Sequence, residues 1–250
     1  IINNKTYVIA SDGDLMEGIS HEAMSLAGHL KLKNLIVFFD NNKISIDGPT
    51  SLSVSDNYKK RFESYGWNLL EVNGHNEKQI SKAISKASKS NKPTIISCKT
   101  IIGFGSPNKS GTADAHGAPL GDEEIEKTRD ALGWSHPAFE VPQEVYDFWD
   151  SKNSGADKNS SWDDLIKNYK DKYPEDSAEL ERRINGNMPE NFQQNFYDFL
   201  NDCNSTNTPM ATRKASKACL DFFVKEMPEL VGGSADLTPS NNTFSASSST

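Results

Sequence analysis

Tyr7-Val-Ile-Ala-Ser-Asp-Gly13 and Leu35-Ile-Val-Phe-Phe-Asp-Asn-Asn42 are the two stretches that decide the fold. Each is a short apolar run that ends in polar residues, and the segment between them has apolar residues near helical spacing. Further apolar strands are predicted at residues 67–72 and 94–98, with a helix over residues 77–90 between them. Strands that are apolar throughout and alternate with helices are typical of a parallel sheet covered on both faces.

The fold class predicted from this alternation is α/β, a doubly wound parallel sheet, followed by a helical connector and the start of a second α/β domain. The predicted boundaries are residues 1–140 for the first domain, 141–208 for the connector and 209–250 for the second domain. The second domain is predicted to contain an amphipathic helix and then a strand at Leu230-Val231. Because the chain opens on a strand and closes on a Ser-rich stretch, we expect an internal fragment of a longer polypeptide.

The composition excludes several classes of protein. Lys and Arg number 27 against 35 Asp and Glu, a net charge of −8, which argues against a sequence-independent nucleic-acid binder. No apolar run approaches the roughly 20 residues that a membrane helix needs. Cys98, Cys203 and Cys219 form no CxxC pair, which argues against a zinc site or a disulfide framework and favours a reducing cytoplasm.

Asp12 and Asn42 follow successive predicted strands, so both side chains are expected at the same edge of the sheet. Carboxylate and amide oxygens are ligands suited to Mg²⁺ held together with phosphate oxygens. Gly13 would allow close approach of a phosphate to the backbone, and the helix that follows would direct its first N–H groups towards it. The alternative interpretation is an ordinary turn after the first strand and an ordinary loop after the second.

These residues lie in longer stretches that resemble the thiamine diphosphate motif of the transketolase family. The stretches are SDGDLMEGISHEA at residues 11–23 and DNNKISIDG at residues 40–48. Further stretches resemble the same family and occur in its order: KTIIGFGSPN at residues 99–108, HGAPLG at 116–121 and GGSADLTPSN at 232–241. The resemblance covers essentially the whole chain, and the last three stretches favour transketolases over other thiamine diphosphate enzymes.

The resemblance implies a thiamine-diphosphate-binding fold and a transferase. Residues 1–140 would be the diphosphate- and Mg²⁺-binding domain without its amino-terminal part, and residues 209–250 the truncated start of the aminopyrimidine-binding domain. The implied reaction is reversible transfer of a two-carbon ketol (glycolaldehyde) unit from a ketose phosphate to an aldose phosphate, as in the pentose phosphate pathway or Calvin-type interconversions. The implied cofactors are thiamine diphosphate and Mg²⁺, for which Ca²⁺ or Mn²⁺ could substitute.

The resemblance also implies roles for single residues. The implied Mg²⁺ ligands are the side chains of Asp12 and Asn42 and the carbonyl of Ile44. The residues implied to bind the thiamine cofactor are Gly13, Asn42, His116 and Asp236. The residues implied to bind the substrate are His116, Arg213 and Ser240. His116 would in addition be the catalytic residue, close to both the thiazolium ring and the substrate.

The family further implies a homodimer whose active sites are shared between subunits. Asp12 and Asp236 of one chain would then serve different active sites, and Glu17 and Glu22 would belong to an acidic network at the subunit interface. The expected partners are sugar-phosphate substrates, with no nucleic acid and no membrane, and the expected location is the cytoplasm.

Two departures from the family pattern qualify these expectations. Ser11 stands where the family usually has Gly, which would cost about 1 kcal/mol or more if the φ angle there were positive. The glutamate that activates the aminopyrimidine, and the family's amino-terminal histidines, lie outside these 250 residues, so we expect the chain by itself to be inactive.

Other functions remain open at this point. A formaldehyde-using relative is one alternative, and a non-catalytic module that binds thiamine diphosphate and Mg²⁺ is another. A Mg²⁺-dependent nucleotide-binding α/β domain would require a Gly-rich fingerprint directly after a strand, and the sequence has none.

Overall fold

The computed structural model of the protein describes residues 1–206 and 208–248. Its chain divides into two compact units, Ile1–Phe148 and Trp149–Thr250. The first unit is built on a parallel sheet, and the described part of the second is built of helices. The predicted boundaries after residues 140 and 208 stay a prediction. Residue 207, in the predicted connector, and residues 249–250, in the predicted second domain, lie outside the described residues.

The first unit, all of which the structure describes, alternates strands and helices. Its elements are β1 (Thr6–Ser11), α1 (Asp12–Met16), α2 (Gly18–His29), β2 (Leu35–Asn41), β3 (Ile44–Ser45), β4 (Gly48–Pro49), α3 (Tyr58–Ser64), β5 (Asn68–Asn73), α4 (Glu77–Ala87), β6 (Thr94–Lys99) and α5 (Asp122–Ala131). The main sheet has the strand order β1-β2-β6-β5 with every neighbouring pair parallel, and β3 and β4 form a small antiparallel ribbon. This order confirms the predicted doubly wound α/β fold.

Hydrophobic cores lie on both faces of the sheet. Successive side chains of a strand point to opposite faces, so Val37 and Phe39 of β2 enter one core and Ile36 enters the other. The core beneath α1, α2 and α3 contains Ala10, Leu15, Ala27, Val37, Phe39, Phe62, Trp67 and Ile95. The core beneath α4 contains Ile36, Val72, Ala83, Ala87, Ile96 and Cys98.

β1 departs from the expectation that every strand is covered on both faces. Its side chains of Tyr7, Val8 and Ile9 are 51%, 39% and 82% exposed. The reason is the strand order, because β1 is an edge strand and α4 packs against β5 and β6 on the far side of the sheet. An apolar run predicts a strand in a parallel sheet, but it does not tell an edge position from a central one.

The described part of the second unit consists of helices and the segments that join them. After α6 (Gln143–Trp149), which begins in the first unit, come α7 (Lys152–Lys172), α8 (Pro174–Ile184), α9 (Phe192–Thr206), α10 (Thr212–Glu226) and α11 (Thr238–Asn241). α9 packs on α10 through stacked aromatic rings, among them Phe199 on Phe222 with centroids 4.8 Å apart. No helix in the described ranges is both long and apolar enough to cross a membrane.

The strand predicted at Leu230-Val231 is wrong. Within the described residues 208–248 these two residues pair with no neighbouring strand, and Val231 is 92% exposed. A strand is stabilised by the ladder and the faces that its neighbours provide, so an apolar pair followed by Gly232 and Gly233 remains irregular when no neighbour is present.

Two glycines in helix α2 differ in what surrounds them, which generates the first prediction. A Cβ at Gly28 would overlap the backbone carbonyl oxygen of Tyr65, whereas a Cβ at Gly18 would meet nothing within 4 Å in the described structure. Gly28→Ala should therefore lower the free energy of unfolding by roughly 1–3 kcal/mol or more. Gly18→Ala, the matched control, should change it by less than about 1 kcal/mol, in the stabilising direction.

Urea unfolding followed by circular dichroism measures both variants. Equal destabilisation by the two alanines would contradict the close packing of α2 on the segment around Tyr65.

Candidate functional site

The carboxyl ends of β1, β2 and β6 meet at one edge of the sheet. The parallel register places Ser11 opposite Asp40, and Asp40 opposite Cys98. Asp12 follows β1 and Asn42 follows β2, so the two predicted ligands enter the same region from neighbouring strands. Oδ2 of Asp12 accepts the backbone N–H groups of Asn42 at 3.0 Å and Lys43 at 2.9 Å, which joins the two turns directly.

Asp12 has a buried carboxylate, one oxygen of which accepts no hydrogen bond from the described residues. The residue is 1% exposed, and Oδ1 has no hydrogen-bond partner among the residues that the structure describes. Burial raises the pKa of this carboxyl group, and the two backbone N–H groups on Oδ2 oppose that rise. A buried carboxylate oxygen without a partner is costly, and a bound cation would remove that cost. The site therefore fits a hard metal ion on the evidence of its own geometry.

The turn after β2 presents a further oxygen. Oδ1 of Asn42 accepts the backbone N–H of Ile44 at 2.9 Å, and a carbonyl oxygen has a second lone pair for another partner. Lys43 has a φ of 63°, so the chain reverses sharply between Asn42 and Ile44. This reversal allows the N–H groups of residues 42 and 43 to meet the same carboxylate oxygen of Asp12.

A cavity of about 600 Å³ lies beside these turns. Its lining combines polar groups with apolar side chains and includes Phe38, Asp40, Asn42, Thr100, Ile101 and Gly103. Asp40 was not among the predicted site residues. Its Oδ1 accepts a hydrogen bond from the Thr100 hydroxyl, so the ends of β2 and β6 are tied together at the cavity wall. The signal for it in the sequence was its place between an apolar strand and Asn41-Asn42.

Gly13 and Ser11 flank Asp12. Apart from its chain neighbours and the backbone of its own helix, no described residue has an atom within 4 Å of where a Cβ of Gly13 would be, so the fold does not require glycine and the space is open to a ligand. Ser11 has φ −98° and ψ 178°, an ordinary extended conformation, so the cost considered for a positive φ does not arise. Its backbone N–H and its hydroxyl both donate to Oδ2 of Asp14, at 2.7 and 2.8 Å.

Arg61 is the centre of a second group of contacts, with its side chain 11% exposed and that of Asp56 49% exposed. The guanidinium of Arg61 donates to Asp56 at 3.1 Å and lies 4.7 Å from the ring centre of Tyr58. It is also 3.2 Å from Nε2 of His21, and because a guanidinium only donates, this nitrogen must accept. Burial raises the pKa of Tyr58, and the negative charge of Asp12 adds to the rise.

His116 lies on the long loop between β6 and α5. It directly follows the 3₁₀ turn Ala113–Ala115, donates its backbone N–H to Ala113 at 2.9 Å, and is exposed. A Cβ on Gly103 would lie 2.9 Å from Cβ of Ala115, so the residue before His116 packs against the cavity lining.

A sequence model described as "Transketolase, thiamine diphosphate binding domain" matches residues 1–189. The chain belongs to the transketolase family. It is 51% identical over 245 residues to Transketolase 1 of Vibrio vulnificus (strain CMCP6), covering 98% of this chain and 37% of that protein. It is 46% identical over 246 residues to Transketolase 1 of Escherichia coli (strain K12), with the same two coverages.

Solved transketolase structures match the fold as well. The transketolase of Pichia stipitis, in complex with sedoheptulose 7-phosphate, superposes with a TM-score of 0.86 at 42% identity, covering 98% of this chain and 36% of that one. The transketolase of Leishmania mexicana gives a TM-score of 0.85 at 36% identity. The chain thus spans a little over a third of the length of the transketolases that it matches.

The other residues implied by the transketolase resemblance are exposed. Glu17 lies between α1 and α2, and Glu22 lies in α2. In the second unit Arg213 lies in the first turn of α10, Asp236 precedes α11, and Ser240 lies in α11 with its N–H donated to Leu237 at 2.9 Å. Of the predicted ligands, the structure brings Asp12, Asn42 and Ile44 together. The roles of all of these residues, the three predicted metal ligands included, stay predictions.

The unpartnered oxygen of Asp12 generates the second prediction. In Asp12→Asn the amide oxygen can still accept both backbone N–H groups, while the buried charge is removed. Without metal, this variant should unfold with a free energy equal to that of the wild type or up to about 1 kcal/mol higher. Asp14→Asn is the control, because the Asp14 carboxylate holds the start of α1, and its loss should cost about 1 kcal/mol.

Urea unfolding at pH 7 with EDTA compares the two variants. If Asp12→Asn lost more stability than Asp14→Asn, Asp12 would be a structural carboxylate and not one retained for a ligand.

Proposed function

We propose that this chain is the diphosphate-binding part of a transketolase that transfers a two-carbon ketol unit between sugar phosphates. The observation that carries the proposal is the buried Asp12, whose Oδ1 is left without a partner at the joined ends of β1 and β2. Membership of the family, and relatives that are named transketolase, support the reaction. The structures of relatives with sedoheptulose 7-phosphate and xylulose 5-phosphate support sugar phosphates as substrates.

The proposed metal is Mg²⁺, with Ca²⁺ or Mn²⁺ as substitutes. Its ligands from the protein would be Asp12, the side-chain oxygen of Asn42 and the carbonyl oxygen of Ile44. All three are oxygens, as Mg²⁺ prefers, and Mg²⁺ commonly completes its shell with phosphate oxygens and water. The open space at Gly13 provides room for a diphosphate next to Asp12.

Thiamine diphosphate, when bound, supplies a nucleophilic carbon and an electron sink for breaking the bond next to a ketose carbonyl. The chain's own contribution would be to hold, through its oxygen ligands, the metal ion that offsets the charge of the diphosphate, and to present His116 to the substrate. The apolar side chains of Phe38 and Ile101 in the cavity would exclude water from a bound ring.

The remaining proposals concern the complete enzyme. Arg213 and Ser240 would bind the phosphate of the sugar, Asp236 would approach the cofactor of the neighbouring subunit, and Glu17 and Glu22 would lie at the interface of a homodimer. A cytoplasmic location fits the free state of the described cysteines.

Replacing the matched segment of Escherichia coli Transketolase 1 by residues 1–250 of this chain gives a full-length enzyme, the graft, in which these residues can be tested. We expect the graft to transfer a ketol unit from xylulose 5-phosphate to ribose 5-phosphate. A graft that folds, binds thiamine diphosphate and transfers nothing would point to a non-catalytic module. A preference for formaldehyde as the acceptor would point to the formaldehyde-using relative.

The metal proposal generates the third prediction. In the graft, Asp12→Ala and Asn42→Ala should each abolish Mg²⁺-dependent retention of thiamine diphosphate, since Mg²⁺ tolerates the loss of an oxygen ligand poorly. Isothermal titration with the cofactor and Mg²⁺ measures this. Asn41→Ala is the matched control, because Asn41 donates to Ser97 at 3.1 Å and should leave retention intact. If Asp12→Ala bound thiamine diphosphate and Mg²⁺ with the wild-type affinity, the assignment of Asp12 as a metal ligand would be wrong.

The substrate proposal generates the fourth prediction. Arg213→Ala in the graft should lower kcat/KM for xylulose 5-phosphate, since a charged pair with the phosphate is lost. The fall should correspond to a loss of about 2 kcal/mol or more in transition-state stabilisation. The unphosphorylated donor hydroxypyruvate should be affected far less, and cofactor affinity should be unchanged. Lys214→Ala, at the neighbouring exposed cation, is the control. An equal loss for both donors would make Arg213 a structural residue.

A further inference from the structure

Helix α5 holds the long loop that precedes it through one buried carboxylate. Glu124 is 7% exposed, although Asp122 and Glu123 beside it in the same first turn are exposed. It is not used to cap its own helix, since no side chain caps the start of α5. The exposed carboxylates of Asp122 and Glu123 already interact favourably with the helix dipole. The dipole therefore does not explain why the Glu124 side chain is buried.

The Glu124 carboxylate is fully engaged by the loop. Oε1 accepts the hydroxyl of Ser106 and the backbone N–H of Asn108 at 2.8 Å, and Oε2 accepts Nδ2 of Asn108 at 2.8 Å. These donors lower the pKa of Glu124 to about 2. The carboxylate is therefore ionised at neutral pH, and its hydrogen bonds are of the stronger, charge-assisted kind.

A second attachment closes the far end of the same loop. Lys109 donates its backbone N–H to the Ser106 hydroxyl at 3.1 Å and its Nζ to the carbonyl of Leu120 at 2.9 Å. Lys109 thus closes the segment that carries His116 by bonding to Leu120, and Lys109 is itself bonded to Ser106, which donates to Glu124.

The fastened segment turns back towards the cavity. Ala115 packs on Gly103, which lines the cavity together with Asp40 and Asn42. Gly103 and Gly105 have φ angles of 62° and 90°, and a Cβ on Gly105 would lie 2.6 Å from a methyl of Leu132 at the end of α5. The start of the loop therefore rests on α5, and its later part rests on the cavity wall.

We propose that Glu124 is a positioning residue that clasps this loop to α5 and thereby fixes where His116 stands relative to the cavity. The inference rests on the proposed function, since it assigns to Glu124 the placement of a residue proposed to act on the substrate. Glu124 itself touches neither the cavity nor the metal ligands in the described structure.

The test is Glu124→Gln in the graft. Glu124→Gln removes the charge at nearly constant volume, so the hydrogen bonds from Ser106 and Asn108 lose their charge assistance, and the Asn108 side chain must turn its amide over to stay bonded to the new NH₂. We expect kcat to fall roughly tenfold to a hundredfold, the effect of displacing a reacting group by about 1 Å. The affinity for thiamine diphosphate should not change. Glu123→Gln removes the same charge one residue away and should leave kcat unchanged.

A double-mutant cycle distinguishes positioning from general destabilisation. If Glu124 acts through His116, Glu124→Gln should lower kcat in the wild type and not lower it further in His116→Ala. Asn108→Ala, at an exposed position, removes one of the three bonds and should show a smaller loss with the same lack of additivity. The proposal would be overturned if the fold-reductions in kcat caused by Glu124→Gln and His116→Ala multiplied in the double mutant. An unchanged kcat in Glu124→Gln would also overturn it.

Hydrogen exchange on the 250-residue chain tests the clasp without reference to activity. Amides of residues 106–116 should exchange faster in Glu124→Gln than in wild type or Glu123→Gln, with the amides of β2 and β6 unchanged. Unchanged exchange in the loop would overturn the proposal even if the graft were active. An inactive wild-type graft together with faster loop exchange would count against the proposed function and leave the clasp supported.

Discussion

One carboxylate oxygen joins the two turns on which the site is built. A parallel ladder aligns the ends of β1 and β2 but does not determine the path of the chain beyond them. Oδ2 of Asp12 does so, by accepting the N–H groups of Asn42 and Lys43 while Lys43 takes a positive φ. The same geometry leaves Oδ1 buried and without a partner among the described residues. The hydrogen bonds that shape the turns thus occupy one oxygen of Asp12 and leave the other buried beside it.

Much of this arrangement could be predicted from the sequence, because it depends on patterns that are local. The apolar runs that became β2 and β6 are buried and central, and parallel strands necessarily bring their polar ends to one edge. That was sufficient to place Asp12 and Asn42 together and to expect oxygen ligands. The motif stretches then indicated the family, which the comparison of residues 1–189 established.

Other features depend on contacts that no local pattern records. Exposure of Ile9 follows from the strand order, and the missing strand at Leu230-Val231 follows from the lack of a neighbour to pair with. Glu124 in the sequence is one of three successive acids at a helix start, where an exposed side chain is the ordinary outcome. Only the folded loop shows that Ser106 and Asn108 converge on it.

The contrast between Gly13 and Gly28 bears on how such a chain would evolve. Gly28 is enclosed by backbone, so selection for a folded protein alone would preserve it, whereas Gly13 faces open space and has no such protection. In a lineage that had abandoned the cofactor, Gly13 would be free to drift to larger residues while Gly28 stayed fixed. If a ligand occupies the space at Gly13, as proposed, the ratio of substitutions at these two positions would therefore record whether descendants of this sequence still bind it.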